Sequence, residues 1–183
     1  MQDLDDNALM LKVKNGDLDK LGLLYERHKK RLFGFFYNLG NAPSESEDMV
    51  QNVFMRILKY RKSYTGEGLF AAWMFRMARN VNYDHHGRSS KNRSLEMVDP
   101  DTVRLEREEG DDHLDKKENT QQLNRALSLL PTEKREVLVL SKLRELKFRE
   151  LAEILGCSEG AAKVRVHRAL NDLRKIYIQL ETV

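Results

Sequence analysis

Residues 147–173, KFRELAEILGCSEGAAKVRVHRALNDL, limit what this chain can fold into more than any other segment. Phe148, Leu151, Ile154 and Leu155 recur at helical spacing and stop at Gly156, the residue type that most readily takes the positive φ of a helix end. Ser158 stands where a cap would accept hydrogen bonds from the free amides of a second helix. Ala162, Val166, Ala169, Leu170 and Leu173 would share its packed face. The pattern predicts two helices meeting across a tight turn. The opposite face of the second helix carries Gly160, Ala161, Lys163, Val164, His167 and Arg168, small at its start and then cationic or polar. A basic face on a short amphipathic helix is ordinarily just solvated. Here the turn, the cap, the small residues and the cations fall in one register. That combination suits a helix entering the major groove: absence of bulk lets the backbone approach base edges, and long cations reach phosphates and the O6/N7 acceptors of guanine. His167, with no second ligand at metal spacing, reads as a hydrogen-bonding side chain.

The rest of the chain reads as helical too. Pro43, Pro100 and Pro131 fall between periodic segments, and no alternating β-branched runs with hairpin turns occur. A helix is predicted from about Asp5 to Lys14, stopping at Asn15-Gly16. A longer one follows through Leu21, Leu24, Tyr25, His28, Leu32, Phe35, Phe36 and Leu39, ended by Gly40. Ser44 and Glu47 read as a capping box for a third, with Met49, Val50, Val53, Phe54, Ile57 and Leu58 on its apolar face. After a loop holding Gly66 and Gly68, a fourth helix carries Phe70, Trp73, Met74, Met77, Ala78 and Val81 and ends near His86-Gly87. Periodicity then disappears until Leu123, Ala126, Leu127 and Leu130. After Pro131, Thr132 is the expected cap of a helix with Val137, Leu138, Leu140 and Leu143. The fold class is therefore all-α. Two small domains, a helical bundle over residues 1–90 and a helix-turn-helix domain over 120–183, are joined by a flexible acidic linker over 91–119.

The net charge of only +3 on 183 residues conceals a gradient, because basic residues crowd the C-terminal domain and acidic ones the linker. The one cysteine, Cys157, has no internal partner for a disulfide and reads as a small packing residue in the turn. With neither a secretory signal pattern nor an eighteen-residue apolar run, the expectation is a soluble cytoplasmic protein without a membrane segment. The five histidines lack metal-ligand spacing, no phosphate-cradling glycine loop occurs, and no nucleophile setting is present. No enzymatic activity, cofactor or metal is expected.

The run Glu47-Asp48-Met49-Val50-Gln51-Asn52-Val53-Phe54, followed by Phe70-Ala-Ala-Trp73-Met-Phe-Arg76-Met-Ala-Arg79-Asn80, resembles the sigma-70 family of bacterial RNA polymerase initiation factors, specifically its extracytoplasmic function group. Gly160-Ala-Ala-Lys163-Val-Arg165-Val-His167-Arg168-Ala169 resembles that family's recognition helix, so the likeness covers both domains in the family's order. It implies a factor that binds core RNA polymerase through the coiled coil of the largest subunit and the flap region, and that reads promoter DNA. An anti-sigma protein is a further implied partner. Asp48, Gln51, Asn52 and Arg56 would form the polymerase-facing row, with Asn52 where the family usually has glutamate. Tyr64 and Asn80 would stack on and hydrogen-bond a base flipped from the minus-ten element, with Lys62, Arg76 and Arg79 on phosphates. Lys163, Val164 and His167, beside Ser158, Gly160 and Ala161, would read the minus-thirty-five element, and Lys147, Arg165 and Arg168 would contact its phosphates. Trp73, tempting as a stacking residue, has core spacing with Phe70 and Met77. Two alternatives share these residues: a stand-alone helix-turn-helix regulator, and an interaction module that copies a sigma surface without opening promoters.

Overall fold

The computed structural model describes residues 4–90, 114–142 and 146–181, without the side chains of 88–90 and 114–120. The described residues form helices and turns with no strand. In chain order the helices are α1 (Asp6–Lys14), α2 (Asp19–Asn38), α3 (Pro43–Tyr60), α4 (Phe70–Ser90), α5 (Leu114–Leu129), α6 (Thr132–Ser141), α7 (Phe148–Leu155) and α8 (Glu159–Glu181). Residues 91–113 of the expected linker lie outside the described residues. Its last residues do not belong to a linker: α5 begins at Leu114, ahead of the first apolar residue of its periodic face. The expected core residue Leu143 also lies outside the described residues.

Helix α1 starts where Asp5 caps it, the Asp5 carboxylate accepting from Ala8 N–H at 2.7 Å. It is held to α2 by Asp6, whose carboxylate meets His28 Nε2 at 2.6 Å and Arg27 Nη1 at 2.9 Å. Burial pushes the Asp6 carboxyl up, yet the Arg27 and His28 hydrogen bonds overcome that and hold it below the ordinary 3.8. A carboxylate depressed by folding stabilises above its unfolded pKa and loses that contribution as pH falls through its folded one. Asp6→Asn is therefore expected to melt below the wild type at neutral pH. It should also lose less stability than the wild type as pH drops below 3.8, as thermal melts across the acid range would record.

The start of α3 differs from the expected capping box. The helix begins at Pro43, whose fixed φ suits a first turn, and Glu45 rather than Glu47 reaches back to accept from Ala42 N–H at 3.1 Å. Ser44 caps nothing there, because the helix starts at the proline, two residues earlier than a Ser44 cap would place it. Nor does Thr132 cap α6: Pro131 holds the N-cap position and Thr132 is already helical. Helix α4 runs past His86-Gly87 to Ser90, a glycine inside a helix being a cost rather than a stop.

Aromatic edges build the N-terminal core. Phe35 packs edge-on to Phe36 and to Phe75, with centroids 5.2 and 5.5 Å away, and Tyr25 meets Phe54 at 5.0 Å. This core does not stop at the domain boundary. Val137, Val139 and Leu140 of α6 and Leu151, Ile154 and Leu155 of α7 join the same continuous apolar cluster as Phe35, Phe75 and Ala78. A smaller cluster of Leu127, Leu130, Leu138 and Ala169 ties α5, α6 and α8 together.

Candidate nucleic-acid interface

The turn between α7 and α8 is built as its residues dictate. Gly156 takes the left-handed conformation at φ +64° and ends α7, and Ser158 Oγ accepts from Ala161 N–H at 3.2 Å. Ala162, Val166 and Ala169 are buried beneath α8. Two expected core residues are not: Leu170 is 44% and Phe148 40% exposed. Phe148 instead lies under the Lys163 ammonium, 5.6 Å from its ring centroid. Gly160, Lys163, Val164, Arg165, His167 and Arg168 are all exposed, with Ala161 half-buried at their edge, so the side chains expected to read DNA stand on one accessible surface. Lys163 is pinned by Glu159 at 2.8 Å and His167 Nε2 lies 3.1 Å from Asn171 Nδ2. Lys147, at the N-cap of α7, and Ser158, in the turn that follows α7, are both exposed.

On α3, Asp48, Gln51 and Asn52 are exposed, and Arg56 is half-buried. Arg56 donates to Asn52 Oδ1 at 3.0 Å and pairs with Asp84 of α4 at 2.7 Å, which orders this outer row. Sequence reasoning missed what lies beside it. A groove of about 500 Å³ between α2 and α3 is lined by Tyr25, Lys29, Lys30, Phe33, Glu47, Val50 and Gln51, an aromatic floor with charges at its rim. Tyr25 falls on the apolar stripe expected of α2, and pattern alone assigns it to the core.

The surface expected to capture a base differs from expectation at its centre. Tyr64 is not an accessible stacking face: it is 2% exposed, with its ring edge-on to Trp73 at 5.0 Å and to Phe70 at 6.2 Å. Its hydroxyl donates to Asn7 Oδ1 at 3.0 Å, and its carbonyl accepts from Lys14 Nζ at 2.5 Å. Burial, and then the Asp5 and Asp6 charges, push its phenol up to about 12. Asn7, which sequence reasoning also missed, takes the Phe70 amide at 2.7 Å and donates to the Gly68 carbonyl at 2.8 Å, so one α1 side chain fixes both ends of the loop. Gly66 sits at φ +80°, and a Cβ there would lie 3.3 Å from Leu11 of α1. Trp73 is half-buried in the core, as its spacing predicted. Lys62 and Asn80 are exposed. Arg76 and Arg79 are turned to the C-terminal domain: Arg76 donates to the Glu153 carbonyl at 2.9 Å, and Arg79 pairs with Glu136 at 3.0 Å.

These features define a protein of two helical bodies, the second a helix-turn-helix with an open cationic face. Comparison with known proteins narrows the class. Residues 24–92 match the family model for sigma-70 region 2, and residues 120–173 match that for sigma-70 region 4. The sigma factor SigF of Caulobacter vibrioides, of the extracytoplasmic function group, is 32% identical over 91% of this chain and 90% of its own. The sigma factor CarQ of Myxococcus xanthus is 29% identical over 94% of this chain and 97% of its own. Among solved structures, CnrH in complex with the cytosolic domain of CnrY superposes with a TM-score of 0.69 at 23% identity, covering 93% of this chain and 96% of its own. The sigma factor RpoE in complex with the anti-sigma factor NepR, from Bartonella quintana, gives 0.64 at 24% identity over 87% and 96%. The chain belongs to the extracytoplasmic function group of sigma-70 RNA polymerase sigma factors.

Proposed function

We propose that this chain binds core RNA polymerase and directs it to promoters, reading duplex DNA at the minus-thirty-five element with α8 and unstacked DNA at the minus-ten element with the N-terminal body. The observation that carries the reading is that a region 2 match over residues 24–92 and a region 4 match over residues 120–173 occur on one chain, in the family's order. A stand-alone regulator could use the first body to dimerise, but it has no need of one that matches region 2. The factor contributes recognition and strand separation while the polymerase supplies the chemistry, so the chain itself is not an enzyme. Its place of action is the cytoplasm, and among the described residues no helix is long and apolar enough to cross a membrane.

Asp48, Gln51, Asn52 and Arg56 supply the polymerase-facing row on the first body, with the adjoining aromatic groove as a seat for apolar side chains of the partner. The second body meets the flap region. Asn80 and Lys62 act on the extruded base and the strand beside it. Tyr64 supports their loop from beneath. The residues between the bodies carry acidic charge that suits the cationic interior of the polymerase. An anti-sigma protein is the inhibitory partner expected of a chain similar to RpoE, which is seen with one.

On α8, Gly160 and Ala161 allow close approach, Lys163, Val164 and His167 face base edges, and Lys147, Arg165 and Arg168 hold phosphates beside Ser158. Lys163→Ala is expected to weaken minus-thirty-five binding by about 1–3 kcal/mol and to relax preference at one base pair. Arg165→Ala should weaken all sequences evenly and flatten the salt dependence. Selection of promoters from a random library by the reconstituted holoenzyme tests the whole reading. Two sequence blocks at fixed spacing are the expected yield, and a single block that needs no polymerase would favour the stand-alone regulator.

A further inference from the structure

Helix α1 uses two faces. Leu9, Met10 and Val13 are buried on one. Asn7, Leu11 and Lys14, at i, i+4 and i+7, line a second that meets the loop between α3 and α4. That loop is soft by composition: Gly66 and Gly68 both take left-handed conformations, at φ +80° and +74°, and Thr65, Glu67 and Leu69 are exposed. Asn7 stiffens it from below. Its Oδ1 accepts from the Tyr64 hydroxyl at 3.0 Å and from the Phe70 amide, a free donor at the start of α4, at 2.7 Å. Its Nδ2 donates to the Gly68 carbonyl at 2.8 Å. Three of the four hydrogen-bonding positions of one amide thus converge on one loop. Lys14 Nζ holds the Tyr64 carbonyl at 2.5 Å, and Leu11 stands 3.3 Å from where a Cβ on Gly66 would lie. The helix is itself anchored, Arg27 of α2 reaching both the Asp6 carboxylate at 2.9 Å and the Leu4 carbonyl at 2.8 Å.

We propose that Asn7 is a positioning residue for base selection at the minus-ten element: it touches no DNA, and it sets the preference by fixing the loop that leads into α4. This rests on the minus-ten reading of that loop given above. A site that reads a base edge discriminates only while its groups stay within about 0.5 Å of their places. A loop with two left-handed glycines cannot hold that tolerance alone, whereas one clamped at Tyr64, Gly68 and Phe70 by a side chain of an anchored helix can. The clamp leaves the outer side chains of the loop free to face a ligand. The match to sigma-70 region 2 begins at residue 24, so this control over base choice lies in a helix outside the matched segment.

The test uses holoenzyme reconstituted from the full chain and core polymerase. Its templates are paired promoters that differ at the most strongly selected base of the minus-ten block and give transcripts of different length. Both templates compete for one pool of holoenzyme, so a loss of folded protein lowers both transcripts and leaves their ratio alone. The starting chain should favour the preferred base by about tenfold, and Asn7→Ala should bring the ratio close to one. Asn7→Asp keeps the acceptor for Tyr64 and Phe70 but sets a carboxylate against the Gly68 carbonyl, so it should relax the ratio as well. It decides the matter if Asn7→Ala fails to fold. Amide exchange at Phe70 in the free chain should quicken in Asn7→Ala and stay slow in Asn7→Asp. A ratio unchanged in the folded variants overturns the proposal, as does a Phe70 amide indifferent to Asn7→Ala. A starting chain that initiates yet prefers no base would instead overturn the minus-ten reading, and the role of Asn7 with it.

Discussion

Tyr64→Ala is expected to destabilise the N-terminal body by about 3–5 kcal/mol, the cost of deleting a buried aromatic ring from a core that cannot fully collapse around the gap. The ring is 2% exposed and wedged between Trp73 and Phe70, and its hydroxyl is spent on Asn7. Tyr64→Phe keeps the packing and loses one hydrogen bond to a half-buried partner, so a cost of about 1 kcal/mol is expected. The contrast discriminates between roles. A side chain standing in solvent to stack on a base would change stability by no more than about 0.5 kcal/mol when removed, while promoter opening fell. Denaturant unfolding of the three proteins, with no DNA present, therefore separates a supporting Tyr64 from a base-stacking one.

Removal of Arg135 should have the next largest effect. This guanidinium is buried against the carbonyls of Leu127 at 2.9 Å, Ser128 at 2.5 Å and Leu130 at 3.1 Å, where α5 ends, and of Leu39 at 3.0 Å, where α2 ends. One cation thus caps two helix C-termini from different bodies, meeting orphan carbonyls and two negative dipole ends together. Burial pushes its pKa down, but it stays charged, because arginine begins so far above neutrality. Arg135→Met fills the same volume and leaves these acceptors without their donor, at an expected cost of about 3 kcal/mol. The melting temperature should fall, and amide exchange at the end of α5 should accelerate. Unchanged exchange there would mean that water replaces the guanidinium without loss.

Local chemistry was the legible part of this chain. The turn at Gly156, the Ser158 cap and the buried row Ala162, Val166 and Ala169 follow from spacing, because each depends on residues within one or two turns of itself. Leu170 and Phe148 were misplaced for the converse reason. A two-helix pattern cannot say where a short domain runs out of partners, and the outer edge of each apolar face is left in solvent. Tyr64 was misjudged because its burial requires α1, more than fifty residues earlier, to lie across the loop and offer Asn7. The pairing of Arg79 with Glu136 is of the same kind. Nothing near either residue announces the other, and a cation on a DNA-facing helix reads as free until the fold brings a carboxylate to it.

Run-off transcription tests the central claim most directly: the purified chain is added to core RNA polymerase on linear templates drawn from the selected promoters. Transcripts from one defined start per template, absent without the chain and absent when the minus-ten block is scrambled, are the predicted result. A chain that binds the duplex yet neither associates with the polymerase nor yields a defined transcript would contradict the account.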